Sequence, residues 1–207
     1  MSEINVLIPS EQANLQLPDP ELFAYYKGLE ERIIWIDDEI DENCLEFIKQ
    51  ILLWNLEDAK LNLSIEQRKP VKIMFYSYGG DLDIHLALID AITLSMTPVY
   101  GYNMGVACSA AALIYLSCHK RFCLPSAYFL FHRGGAGPFP AMSYSELIAS
   151  VDEYKEKVAN FVEFIEEKTQ IPHDVLMKEI AGDWYIAAAE ALKWGICDAI
   201  LVSLDEI

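Results

Sequence analysis

The sequence predicts an α/β layered fold, and three observations carry that expectation. Short apolar runs of strand length alternate with stretches whose apolar residues recur every three or four positions, the pattern of strands exchanging with amphipathic helices. Of the 207 residues, 53% are hydrophobic and 12% aromatic, enough for one sizeable core and too apolar for a disordered chain. No internal repeat or low-complexity tract interrupts this order, so one domain with one active site is expected.

Residues 1–20 hold Pro9, Pro18 and Pro20 among scattered apolar positions and read as an irregular arm ahead of a domain over 21–207. Ile33 to Ile36 is the first strand, and Leu45, Ile48, Leu52 and Leu56 then share one face of a helix that Asp41 would cap. Val71 to Phe75 is the second strand. A helix through Leu82, Leu86, Ile89, Ile92 and Met96 stops before Pro98, and Val99 to Tyr102 reads as the next strand. The apolar helical block Ala110 to Leu116 follows, then short strands at Phe122 to Leu124 and Tyr128 to Phe131, parted by Pro125 and Ser126. A long amphipathic helix is expected over about 144–169 from Leu147, Val151, Tyr154, Val158, Phe161 and Ile165, with a mainly acidic polar face. A short helix through Val175 to Ile180, another ending near Gly195 and a strand Ala199 to Val202 complete the chain.

Lys and Arg number 15 against 32 Asp and Glu, a net charge of −17, so tracking a phosphate backbone would oppose the protein's own field and no nucleic-acid partner is expected. No run reaches the ~18 to 20 apolar residues needed to cross a bilayer. Residues 1–10 lack the basic flank and apolar block of a signal peptide, so a cytoplasmic protein without a membrane partner is expected. Cys44, Cys108, Cys118, Cys123 and Cys197 form no C-x-x-C pair, which suggests buried, reduced thiols rather than a disulfide framework or a zinc site.

Four features could carry chemistry. The small-residue cluster Gly105 to Ala112 places Ser109 where a strand meets a helix, so its hydroxyl would sit at a helix N-terminus whose free amides favour a developing oxyanion. A helix cap or a packing choice explains a serine there equally well. Tyr78-Gly79-Gly80-Asp81 follows a strand, and its glycines can expose backbone amides as an oxyanion hole requires, or simply make a tight turn. His132 stands at the end of a strand, where an imidazole can reach into a cleft as a general base, whereas His85, His119 and His173 lie on a helical face, in a turn and beside a helix start. Gly182-Asp183-Trp184-Tyr185 reads as an acidic interruption between two helices, with Asp183 either capping the second or fixing the tautomer of a base.

Together these segments resemble the Clp protease proteolytic subunit family. The resemblance runs from about Glu21 to Val202, through Ser-Tyr-Gly-Gly (77–80), Gly-Val-Ala-Cys-Ser-Ala-Ala-Ala (105–112), Lys-Arg-Phe-Cys-Leu-Pro-Ser (120–126), Phe-Leu-Phe-His (129–132) and Asp-Trp-Tyr-Ile-Ala-Ala-Ala-Glu-Ala with Trp-Gly-Ile-Cys-Asp (183–198). It implies a crotonase-like α/β fold of repeated β-β-α units with a protruding handle, the long helix at about 144–169. It also implies Ser109 as nucleophile, His132 as base, Asp183 as orienting acid and the amides of Gly80 and Ala110 as oxyanion hole, with no metal or organic cofactor. The implied assembly is a heptameric ring of this chain, paired with a second ring through the handles and supplied with unfolded polypeptide by an AAA+ unfoldase.

The chain also departs from the family pattern. Tyr78 replaces a usual proline, and Cys108 and Ala110 flank the nucleophile where small and Met-like residues are usual. Ala181 and Gly182 stand where charged residues are common, so the usual ring-to-ring ion pairing is not expected. Pro138 and Pro140 enter a segment the family uses as a strand, removing amide donors from its pairing. Two other readings follow, an inactive structural ring paralogue and a crotonase-type acyl-CoA enzyme.

Overall fold

In Ile33–Ile36 (β1), Ile34 and Ile36 are buried while Trp35 is exposed, the alternation of a strand with one wetted face. The structure is a computed structural model that describes residues 19–134 and 143–207. Most of the expected irregular arm and the glycine- and proline-rich segment 135–140 lie outside the described residues. Contacts divide the chain into two compact units, Met1–Glu31 and Arg32–Ile207. The described part of the first is one helix, α1 (Pro20–Glu30).

In the second unit, β1 leads through a 3-10 turn, Glu42–Cys44, into α2 (Leu45–Lys60). The expected cap acts one turn early: the Asp41 carboxylate accepts the amide of Asn43 in the 3-10 turn, and α2 itself starts without a side-chain cap. Next come β2 (Val71–Ser77), α3 (Leu82–Thr93) and β3 (Val99–Cys108). The helix ends before Met96 because Asn55 Oδ1 takes the amides of Met96 and Thr97 and draws the chain out toward β3. β3 runs six residues past the expected Tyr102 because it is the central strand. It pairs with β2 on one side and on the other with β4 (Lys120–Cys123), then with β5 (Tyr128–Phe131). Asn103 sits at the change of partner, fully buried, with its amide nitrogen on the Tyr128 carbonyl and its oxygen accepting the Gly105 amide.

The remaining elements are α4 (Ala110–Ser117), α5 (Tyr144–Lys168), α6 (His173–Glu179), β6 (Trp184–Ala187), α7 (Ala188–Lys193) and β7 (Ala199–Ile200). The sheet order is β1-β2-β3-β4-β7, all parallel, with β5 and β6 branching from β3. α4 is buried along its whole length beneath the sheet. β6 corrects the expectation of a helix-to-helix interruption at 182–185: Trp184 to Ala187 pair antiparallel with β5, burying Ile186 completely.

One ion pair is buried inside this unit. Asp58, 1% exposed, receives both guanidinium nitrogens of Arg32, at 2.8 and 2.7 Å, and the Thr97 hydroxyl at 2.8 Å. The Arg32 hydrogen bonds hold the carboxyl below its usual range, with the Thr97 bond adding to the effect against the opposing cost of burial. A depressed folded value means that this contribution is present above the unfolded carboxylate value of about 3.9 and is lost as pH falls through the folded value. Asp58→Asn, which strands the Arg32 charge, is expected to cost about 3 to 5 kcal/mol at pH 7. The gap between parent and variant should narrow in strong acid. Urea unfolding at pH 7 and pH 3 checks this, and a neutral-pH difference under about 1 kcal/mol would contradict it.

Candidate active site

The nucleophile candidate is presented by a sharp strand-to-helix turn. β3 ends at Cys108, α4 begins at Ala110, and Ser109 between them has φ +53° and ψ −126°. A non-glycine residue there is strained by about 1 to 3 kcal/mol, which the surrounding sheet must offset. Ser109 makes no side-chain cap bond to α4, so the capping explanation does not apply, while its amide is tied to the Leu130 carbonyl at 2.8 Å. The hydroxyl is thereby left for another partner.

Strand register supplies that partner. β5 runs parallel to β3 with Cys108 opposite Leu130, so the residues just beyond, Ser109 and His132, come together. β6 runs antiparallel to β5 with Phe131 opposite Trp184, which sets Asp183 across from His132. His132 Nε2 lies 2.9 Å from Ser109 Oγ, and Nδ1 lies 3.2 Å from Asp183 Oδ1. With Asp183 ionised, the favoured tautomer carries its proton on Nδ1 and leaves Nε2 to accept from the serine. Asp183 does not cap α7, whose N-cap position is Ala187.

The loop between β2 and α3 closes over this turn. A Cβ on Gly79, whose φ is +104°, would sit 2.8 Å from both the Cys108 carbonyl and the Ser109 Cβ, so only glycine lets the loop approach the serine backbone. Ser77 anchors the loop by donating to the Asp38 carbonyl and accepting the Gly79 amide. Gly80 bridges Ile40 through the Gly79 carbonyl and the Asp81 amide, which turns Gly80's own amide to the opposite side. Ala110 is the first residue of α4, and its amide has no carbonyl a turn earlier to bond. Gly80, Ser109, Ala110 and His132 line one cavity of about 180 Å³, walled by apolar Leu82, Leu113, Phe131, Phe161 and Ile165. The neighbouring Cys108 thiol is pushed up to about 11, by burial first and then by the charge of Asp183, so it stays neutral and offers no competing thiolate.

The other histidines lie elsewhere. His85 is buried on α3, where desolvation lowers its pKa, His119 Nδ1 accepts the Val99 amide at 3.0 Å, and His173 pairs with Glu166. All five cysteines are buried thiols. Sequence reasoning treated Tyr154 only as an apolar position of the long helix; its hydroxyl in fact reaches the backbone just after His132, for which nothing in the sequence gave a signal.

A serine hydroxyl, an imidazole and a carboxylate in one hydrogen-bonded row, beside the amides of Gly80 and Ala110, is an arrangement able to perform acyl transfer. On an α/β fold of this topology, the class is that of serine hydrolases. The family model described as Clp protease matches residues 21–203, and this chain belongs to that family. The chain is 28% identical over 184 residues to the ATP-dependent Clp protease proteolytic subunit 2 of Treponema denticola, covering 87% of each chain. It is 28% identical over 178 residues to proteolytic subunit 1 of Rhodopirellula baltica, covering 84% of this chain and 74% of that one. Among solved structures, a ClpP1 mutant from Listeria monocytogenes superposes with a TM-score of 0.73 at 23% identity, covering 88% of this chain and 98% of that one, which shows the shared fold. These matches support a peptidase subunit and not the acyl-CoA alternative.

Proposed function

We propose that this chain is a serine endopeptidase subunit of a chambered ring protease, with Ser109, His132 and Asp183 as its triad. The observation that carries the reading is the unbroken row from Ser109 Oγ through His132 to Asp183, at 2.9 and 3.2 Å, in a chain of the Clp protease family. His132 Nε2 takes the Ser109 proton as Oγ attacks the peptide carbonyl, and the amides of Gly80 and Ala110 receive the oxyanion. Asp183 holds the imidazole and offsets its transient positive charge. His132 then delivers the proton to the departing amine, and water, activated by the same base, releases the acyl group from Ser109. The apolar walls of the cavity suit an apolar side chain at the scissile residue. Labelling with a fluorophosphonate is the test: the parent labels and Ser109→Ala does not. A parent that fails to label is a structural ring subunit, and the reading falls.

The assembly is a heptameric ring of this chain, whose relatives carry names that describe them as subunits of an ATP-dependent protease. An AAA+ unfoldase delivers unfolded polypeptide to it, in the cytoplasm; no helix among the described residues is long and apolar enough to cross a membrane. The peptidase domain spans 21–207, and α5 is the handle. Its N-terminal half leaves Tyr144, Leu147 and Ile148 exposed, apolar surface suited to burial against another copy. Its polar face carries Glu146, Asp152, Glu153, Glu156, Glu163, Glu166 and Glu167 against Lys155, Lys157 and Lys168. Two such faces repel, and that repulsion is screened beyond ~8 Å at physiological salt. Single rings at low salt and paired rings at high salt are therefore expected in sedimentation velocity. Pairing that weakens as salt rises would contradict this account.

A further inference from the structure

His132 is followed at once by Arg133 and by Gly134, whose φ is +79°. Glycine in that region has backbone freedom that other residues lack, so the chain beyond the base is not stiffened by its own covalent structure. Hydrogen bonds from two directions supply the stiffness. On one side the Arg133 amide donates to the Ile180 carbonyl and its guanidinium to the Met177 carbonyl, each at 3.2 Å, at the end of α6. On the other side the Tyr154 hydroxyl, from α5, reaches the carbonyl of Arg133 and, at 3.0 Å, that of Gly134. A phenol has one proton, so a single oxygen keeps both carbonyls within its reach by sharing it between them.

The two anchors do different work. Ile180 lies three residues before Asp183, so the α6 bonds hold the base in register with the acid but do not fix it relative to the serine. α5 packs on α4, the helix that opens immediately after Ser109, and Tyr154 lines the same cavity as Ser109, Leu113 and Phe161. The β3–β5 ladder and the Ser109 amide on the Leu130 carbonyl place the strand that leads to the base, and the Tyr154 hydroxyl adds a second tie, just beyond the base, to the side of the molecule that carries the nucleophile.

We propose that Tyr154 is a positioning residue for His132, acting through the backbone of Arg133 and Gly134. The kinetic part of the proposal rests on the hydrolase reading. A displacement of about 1 Å at a catalytic group costs on the order of 100-fold in rate, and a partial loosening costs less.

Tyr154→Phe removes one oxygen and keeps the ring that walls the cavity. In this variant the kcat for a short fluorogenic peptide should fall about tenfold with KM unchanged, the outcome for a group that sets geometry without binding substrate. Two readouts need no turnover. Amide hydrogen exchange at Arg133, whose amide is held by the Ile180 carbonyl, should accelerate as the segment loosens, and the imidazole signals of His132, followed by NMR in histidine-labelled protein, should move. The His132→Ala protein assigns that signal. If exchange and the imidazole signals stay as in the parent, the proposal is overturned whatever the kinetics do. It is equally overturned if only KM rises, which would make Tyr154 a substrate contact, or if an active parent and the variant share one kcat. If exchange and the imidazole signals both move in a protein that cleaves no peptide and takes no fluorophosphonate, the positioning role stands and the peptidase reading fails.

Discussion

The Ser109→Ala protein is expected to hydrolyse short peptides on the order of 10⁶-fold more slowly than the parent, the loss typical of removing a triad serine. The oxyanion amides remain in that variant and leave a residual ~10³- to 10⁴-fold advantage over water. Its fold should be intact, because the Ser109 side chain caps nothing in α4 and its hydrogen bond goes to His132 alone among the described residues. Thermal unfolding should therefore stay within about 0.5 kcal/mol of the parent. His132→Ala should cost about as much activity, since the members of such a unit do not act additively. A fluorogenic peptide assay beside calorimetry decides the matter, and near-parental hydrolysis by Ser109→Ala would end the triad assignment.

Gly80→Ala should be worse for the molecule as a whole, because it attacks site and fold together. A Cβ at Gly80 would lie 2.3 Å from the Ile40 carbonyl oxygen and 2.6 Å from the Ile40 amide nitrogen, and these are backbone atoms that cannot swing aside. The loop must leave its bridge to Ile40, and the Gly80 amide proposed for the oxyanion leaves with it. Loss of one oxyanion donor alone is worth about 10²- to 10³-fold in kcat. The broken bridge adds a drop in melting temperature that Ser109→Ala does not show. A Gly80→Ala protein with parental kcat and melting temperature would mean that the loop is not held as described.

Much of this could be read from the chain because apolar runs and periodic faces are local. β1, β2, β5 and α4 stand close to where the pattern of Ile33 to Ile36, Val71 to Phe75, Tyr128 to Phe131 and Ala110 to Leu116 sets them. α1 was hidden by its proline, although Pro20 occupies the first position of that helix, where a missing amide is no loss. The second half of β3 was hidden by Asn103 and Gly105, polar and small residues whose place in a strand makes sense only once the side-chain bonds of Asn103 are seen. β6 has four residues and one fully buried side chain, too little for a periodicity, and its partner lies far back along the chain. The candidate site shows the same division. Its residue types and order were recognisable, but the 2.9 and 3.2 Å contacts depend on the pairings of Cys108 with Leu130 and of Phe131 with Trp184, and no local pattern encodes register between distant strands.

The near absence of antiparallel pairing has a consequence for how the protein comes into being. Among the described residues only β5 and β6 pair antiparallel, and even these are joined by a long excursion, so no ladder can zip up from a tight hairpin. Each pairing waits for a loop to close, which makes folding slow and non-local. His132 follows Ser109 by 23 residues, but Asp183 follows His132 by 51. A chain emerging from the ribosome therefore carries the proposed nucleophile and base well before the proposed acid exists. On that reading, cutting power waits until Asp183 has emerged, and a chain stopped short of it is unarmed against itself and its neighbours.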